Sequence, residues 1–152
     1  MGMDLDERYM DLALGEARKA EAAGEVPVGA IIVSEGKVIG SGFNQPISSN
    51  DPTAHAEMVA LRSAAEGQRN YRLSTATLYC TVEPCTMCAG AMIHARIARL
   101  VFGTPDLKAG AAGSIYNILS DPRLNHRVEV ITGIREEECA GLVREFFSKR
   151  RV

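Results

Sequence analysis

Cys85 and Cys88 stand three residues apart, directly after Pro84, between two β-rich runs at 77–82 and 99–102. No other feature of the chain constrains the fold as tightly. The pattern predicts a strand, a helix over about 85–95 and a second strand, and strands joined through a helix run parallel with a right-handed crossover. Both cysteines then fall at the start of that helix and point the same way. Unpaired backbone N–H groups and the positive helix end favour thiolates there, which makes the pair natural metal ligands.

The remaining pattern supplies more strands and helices. Leu5, Tyr9, Leu12 and Ala13 recur at helical spacing and predict a first helix over 4–23, with Asp4 as cap and Gly24 as stop. The β-rich runs 26–33 and 37–40 flank Ser34-Glu35-Gly36 and read as an antiparallel hairpin. A loop is expected over 43–51. Asp51 then caps a helix with Pro52 in its first turn and Met58, Val59, Leu61 and Ala65 on its apolar face, ending near Gly67. A fifth strand is expected over 128–131. A last helix runs from about Arg135, with Cys139, Leu142, Val143 and Phe146 at i, i+3, i+4 and i+7.

At 152 residues the chain matches one domain, residues 1–152, large enough to bury a core without staples. Its composition, 46% apolar and 24% charged, excludes disordered and fibrous classes. No apolar run reaches the roughly 18–20 residues of a bilayer span, so no membrane partner is expected. The acidic start over residues 1–7 is unlike a signal or transit peptide, which predicts the cytoplasm and cysteines that are thiols or ligands rather than disulfides. A net charge of −2 argues against a general nucleic-acid coat protein but leaves room for a local basic patch.

His55-Ala56-Glu57 completes the constellation. Residues two apart diverge in mid-helix and converge only near a helix end, where the Asp51-Pro52 start puts them. His55 with Cys85 and Cys88 makes three zinc ligands, and the fourth position is left to water. Two thiolates and a neutral imidazole cancel the charge of zinc(II), so the water is acidified less than at an all-histidine site. A proton acceptor beside it is needed, and Glu57 fits. The structural alternative is a closed site with Cys80 as fourth ligand. Cys80, however, lies in the apolar run Leu78-Tyr79-Cys80-Thr81-Val82, where a buried free thiol is ordinary. Cys139 reads as core, and His94 and His126 as structural or exposed.

The combined H-x-E and P-C-x-x-C signature resembles the zinc-dependent nucleobase deaminases. Further segments, among them Glu25-Val26-Pro27-Val28-Gly29-Ala30, Asn70-Tyr71-Arg72-Leu73, Glu83-Pro84-Cys85, Gly110-Ala111-Ala112-Gly113-Ser114 and Asn125-His126-Arg127-Val128, resemble the bacterial tRNA-specific adenosine deaminases across nearly the whole chain. That resemblance implies an α/β, three-layer α/β/α cytidine-deaminase-like fold with a five-stranded mixed sheet. It also implies one zinc per chain, a homodimer, a tRNA anticodon stem-loop as partner, and hydrolytic conversion of the wobble adenosine to inosine.

Carried over by position, the resemblance makes Glu57 the proton shuttle and His55, Cys85 and Cys88 the zinc ligands. Asn44 becomes a contact to the target nucleoside, Asp106 and Lys108 contacts to the anticodon backbone, and Phe146, Phe147, Arg150 and Arg151 a helix that meets RNA. The chain departs from the family at Cys80 and at Thr104-Pro105, where proline restricts the loop ahead of Asp106. Composition supports RNA weakly: residues 142–152 carry +3 and residues 1–25 carry −4. Aromatics beside cations suit unstacked bases. Phe146 continues the apolar stripe and Phe147 leaves it, so Phe147 is the better RNA candidate. Two rivals stand beside this reading: a deaminase of a free base or nucleoside of the guanine or cytosine type, and a zinc-stabilised RNA-binding module without turnover.

Overall fold

A computed structural model describes residues 2–150, with side chains from Leu5 onward. Arg151 lies outside the described residues, as does the side chain of Asp4. The chain runs through α1 (Gly2–Ala22), β1 (Gly29–Ser34), β2 (Lys37–Phe43), α2 (Pro46–Ser49) and α3 (Ala56–Gln68), then β3 (Ala76–Val82), α4 (Thr86–Ala95), β4 (Arg99–Thr104), β5 (Glu129–Thr132) and α5 (Glu136–Arg150). Among the described residues the strands form one mixed sheet in the order β2-β1-β3-β4-β5. β1 is antiparallel to both β2 and β3, whereas β3–β4 and β4–β5 are parallel. The β3–α4–β4 unit is therefore the parallel pair read from the cysteine spacing.

Alternation along the strands divides the core into two layers. Ile32, Leu78, Cys80 and Leu100 face α3 and α4, while Ile31, Val33, Tyr79 and Val101 face α1 and α5. Helices thus cover both faces, which is the three-layer α/β/α arrangement expected. Among the described residues no helix is long and apolar enough to cross a membrane.

Three local expectations are corrected. The first helix begins before Asp4, and only part of the expected stripe is buried: Ala13 is in the core and Tyr9 packs against it, but Leu5 and Leu12 are 50% and 49% exposed, and Met10, Leu14, Ala17 and Ala20 complete the buried face. Met10 and Leu14 pack into the layer beneath the sheet beside Ala13, and Leu5 and Leu12 are turned outward. The expected loop 43–51 contains the short α2, whose Ile47 and Ser48 N–H groups donate to the buried Glu25 carboxylate at 3.2 and 2.6 Å. Asp51 does not cap the next helix. Its Oδ1 accepts from the backbone N–H and hydroxyl of Thr53 in a tight turn, and α3 starts only at Ala56.

The later start of α3 has a distant cause. Asn44 Oδ1 accepts the Ala56 N–H at 2.8 Å, so the cap comes from the end of the hairpin rather than from the residues just before the helix. Gly42 makes this docking possible, because a Cβ there would sit 2.6 Å from the Ala56 carbonyl.

Candidate active site

Two helix N-termini meet in front of β3. His55 is the N-cap of α3 and Cys85 the N-cap of α4, both with extended backbone, and Cys88 lies in the first turn of α4. His55 Nδ1 is 3.5 Å from Cys85 Sγ and 3.6 Å from Cys88 Sγ. The three ligand atoms lie within 4.8 Å of one another. An imidazole and two thiols brought this close, at two positive helix ends, are the donor set of a zinc site. The hydrogen bond from Cys88 pulls the Cys85 thiol down to about 3, and the same bond pushes Cys88 up. A zinc ion held here would take both sulfurs as thiolates and displace the proton they share. The hydrogen bond between Cys85 and His55 raises the imidazole.

Cys80 is a free thiol outside this cluster. It is buried and directs Sγ to the Val82 carbonyl at 2.8 Å. Cys139 is likewise buried on α5, in the layer below the sheet. His126 bonds the Ile97 carbonyl at 2.8 Å, and His94 is exposed on α4.

Glu57 is the second helical residue of α3 and is 4% exposed. Burial pushes its carboxyl up from the ordinary carboxylate value, the direction that favours taking up a proton. It lines a cleft of about 250 Å³ together with His55, Cys85, Asn44, Asp106 and Phe147. With Oδ1 held by the Ala56 N–H, Asn44 has its amide NH₂ left as a donor.

The expected RNA contacts surround this cleft unequally. Phe147 is 44% exposed at its rim and packs edge-on against Phe146, which is buried. Val143, expected in the apolar stripe of α5, lines the cleft too. Arg150 is tethered: its guanidinium lies 4.3 Å from the Phe146 ring centroid and donates to the Gly24 carbonyl at 3.0 Å. Asp106 Oδ1 accepts the N–H groups of Lys108 and Ala109, each at 3.1 Å, which leaves the Lys108 side chain exposed. The sequence reading assigned no role to two buried carboxylates, Glu25 and Glu83, that hold the loops on either side. An acid inside an apolar run, as at the end of β3, is the signal that points to them.

Comparison with known proteins agrees with this geometry. The family model described as the cytidine and deoxycytidylate deaminase zinc-binding region matches residues 3–104. The chain is 52% identical over 149 residues to a tRNA-specific adenosine deaminase of Haemophilus influenzae, covering 97% of this chain and 86% of the relative. It is 44% identical over 149 residues to the protein of the same name in Bacillus subtilis, covering 98% and 92%. A solved structure from work on A-to-I editing by tRNA:A34 deaminases at the wobble position superposes with a TM-score of 0.86 at 45% identity, covering 89% of this chain and 98% of the other. Three metal donors at two helix ends, a buried glutamate beside them and these likenesses all point one way: the chain belongs to the zinc-binding cytidine and deoxycytidylate deaminase family.

Proposed function

We propose that the protein is a tRNA-specific adenosine deaminase, a hydrolase that converts the wobble adenosine of a tRNA anticodon to inosine. The observation that carries the reading is the sharing of one cleft by the metal donors His55 and Cys85, with Cys88 buried beside them, the buried Glu57 and the free donor end of Asn44. Relatives up to 52% identical over most of their length bear that name.

His55, Cys85 and Cys88 would hold the zinc. When bound, zinc supplies the Lewis acidity that makes water a nucleophile at neutral pH. Glu57 accepts the proton of the attacking water and returns protons to the ring nitrogen and the departing amine. A C–O bond forms at the ring carbon, the C–N bond breaks, and ammonia leaves. Asn44 donates to an acceptor of the nucleoside and fixes its orientation. Phe147 offers a face on which an unstacked base can lie. Asp106, Lys108, Arg150 and Arg151 complete the contacts to the anticodon stem-loop, with Phe146 behind them as packing.

The same reading takes residues 1–152 as one domain, two copies as a homodimer and the cytoplasm as the site of action, where tRNA is found. Ammonia release from tRNA, compared with release from free adenosine, guanine and cytidine, tests the substrate class. The account expects release from tRNA alone, and release from a free base or nucleoside overturns it.

A further inference from the structure

Glu83 sits between the end of β3 and Pro84-Cys85, and it is 4% exposed. Every listener of its carboxylate lies on one distant segment. Oε1 accepts the Asp106 N–H at 3.0 Å and the Ser114 hydroxyl, and Oε2 accepts the N–H groups of Ala112 at 2.9 Å and Ser114 at 3.0 Å. Gly110 closes over the same carboxylate, where any Cβ would run into it. The Ala111 N–H donates to the Pro84 carbonyl at 2.8 Å and extends the seam.

That segment has little structure of its own. Between β4 and β5 the described residues contain only a 3₁₀ turn at Ile118–Ser120 and an isolated bridge between Ala112 and Asn117. A connection of this length without regular structure takes its shape from outside contacts. Here Ala111, Ala112 and Leu119 pack into the core, and the hydrogen bonds that tie 106–114 to a side chain elsewhere converge on Glu83. The segment carries Asp106 and Ala109 to the wall of the cleft and Lys108 to an adjoining pocket that shares Asp106 and Phe147 with it.

We propose that Glu83 is a positioning residue for substrate recognition: it fixes the 106–114 loop against the cleft, in register with Cys85 two residues further along the chain. The proposal rests on the tRNA reading for the identity of the substrate, but not for the hold on the loop. Glu83→Gln separates the two halves of the clamp. An amide nitrogen at the Oε1 position meets the Asp106 N–H donor to donor, while the Ser114 hydroxyl can turn and accept from it. Oxygen at the Oε2 position keeps both of its N–H partners. The substitution therefore frees the Asp106 corner and leaves the rest of the loop attached.

The test pairs backbone hydrogen exchange with steady-state kinetics on tRNA, using zinc-loaded wild type, Glu83→Gln, Glu83→Asp and Ser114→Ala. For Glu83→Gln we expect zinc content unchanged, faster exchange confined to residues 105–116, and a KM for tRNA raised about tenfold with a smaller change in kcat. Ser114→Ala removes only the hydroxyl bond and shifts both readouts the same way by less, which keeps the test open should Glu83→Gln fail to fold. Glu83→Asp keeps the charge and restores part of the KM. Unchanged exchange in 105–116 overturns the hold on the loop. Faster exchange with an unchanged KM overturns the role in recognition, and loss of zinc with a fall in kcat alone moves Glu83 to the metal site instead. Wild type that neither binds nor deaminates tRNA overturns the substrate reading, while the exchange arm still decides the clamp.

Discussion

Asn44 Oδ1 caps α3 through the Ala56 N–H at 2.8 Å, one residue from His55 and one from Glu57. A single side chain therefore sets where the helix begins and which end of its own amide remains for the nucleoside. Asn44→Asp separates these duties, because aspartate caps a helix as well as asparagine but offers no donor. We expect kcat/KM to fall roughly 10–100-fold, the worth of an unpaired polar contact of about 1–3 kcal/mol, with the melting temperature nearly unchanged. Asn44→Ala should lose activity and also about 1 kcal/mol of stability with the cap. Activity kinetics beside thermal melts check both.

The metal site makes a separate prediction about thiol chemistry. Zinc-loaded protein should contain one zinc per chain and resist alkylation, and chelation should expose Cys85, the less buried of the pair, to iodoacetamide. Cys80 and Cys139 are buried and should stay unmodified while the protein remains folded. Cys85→Ser and Cys88→Ser should lose metal and activity together. Mass spectrometry of alkylated peptides, with zinc analysis, reads all of these.

Phe146 and Phe147 are adjacent and packed edge to face, yet their roles divide. Phe147→Ala should weaken tRNA binding by about 1–3 kcal/mol with little effect on melting. Phe146→Ala should cost about 3–5 kcal/mol of stability, because its ring is buried and supports the Arg150 tether to Gly24. Affinity and melting temperature measured on both variants separate the cases.

How much of this was legible beforehand follows from the range of each interaction. The Cys85–Cys88 spacing revealed the metal pair and the strand–helix–strand unit because both are local patterns. His55 and Glu57 were rightly placed at a helix start, but the capping residue was misread: Asp51 had the local chance, and Asn44 supplied the cap from across a loop. Leu5 and Leu12 misled because periodicity shows a stripe without showing which side of the helix meets the sheet, and here Met10, Ala13, Leu14 and Ala17 meet it. Glu25 and Glu83 had no local signature of their partners, which lie 22 to 31 residues away in sequence.

On the α1 side of the sheet, Asp6 fastens α1 to the strands. Its carboxylate accepts from Arg99 at 2.9 and 2.6 Å and from the Tyr79 hydroxyl at 2.7 Å. Burial pushes the carboxyl up, but the bonds from Arg99 and Tyr79 and the Arg99 charge outweigh it and leave Asp6 below its ordinary 3.8. A group lowered on folding contributes stability above its unfolded pKa and loses it as pH falls through the folded one. The stability advantage of wild type over Asp6→Asn should thus be constant at neutral pH and shrink below about pH 4. Arg99→Leu, which strands the buried carboxylate, should cost about 3 kcal/mol, and Tyr79→Phe about 1 kcal/mol. Denaturant titrations across pH measure each.

Sequencing a tRNA pool before and after incubation with the zinc-loaded protein, beside Glu57→Gln of equal zinc content, tests the central claim most directly. Inosine is read as guanosine, so the account predicts an A-to-G change at the wobble position with wild type. Glu57→Gln should be at least about a hundredfold slower, since its amide cannot accept the proton of water. Wobble adenosine left intact by wild type, or edited by Glu57→Gln at more than about a hundredth of the wild-type rate, would contradict the account.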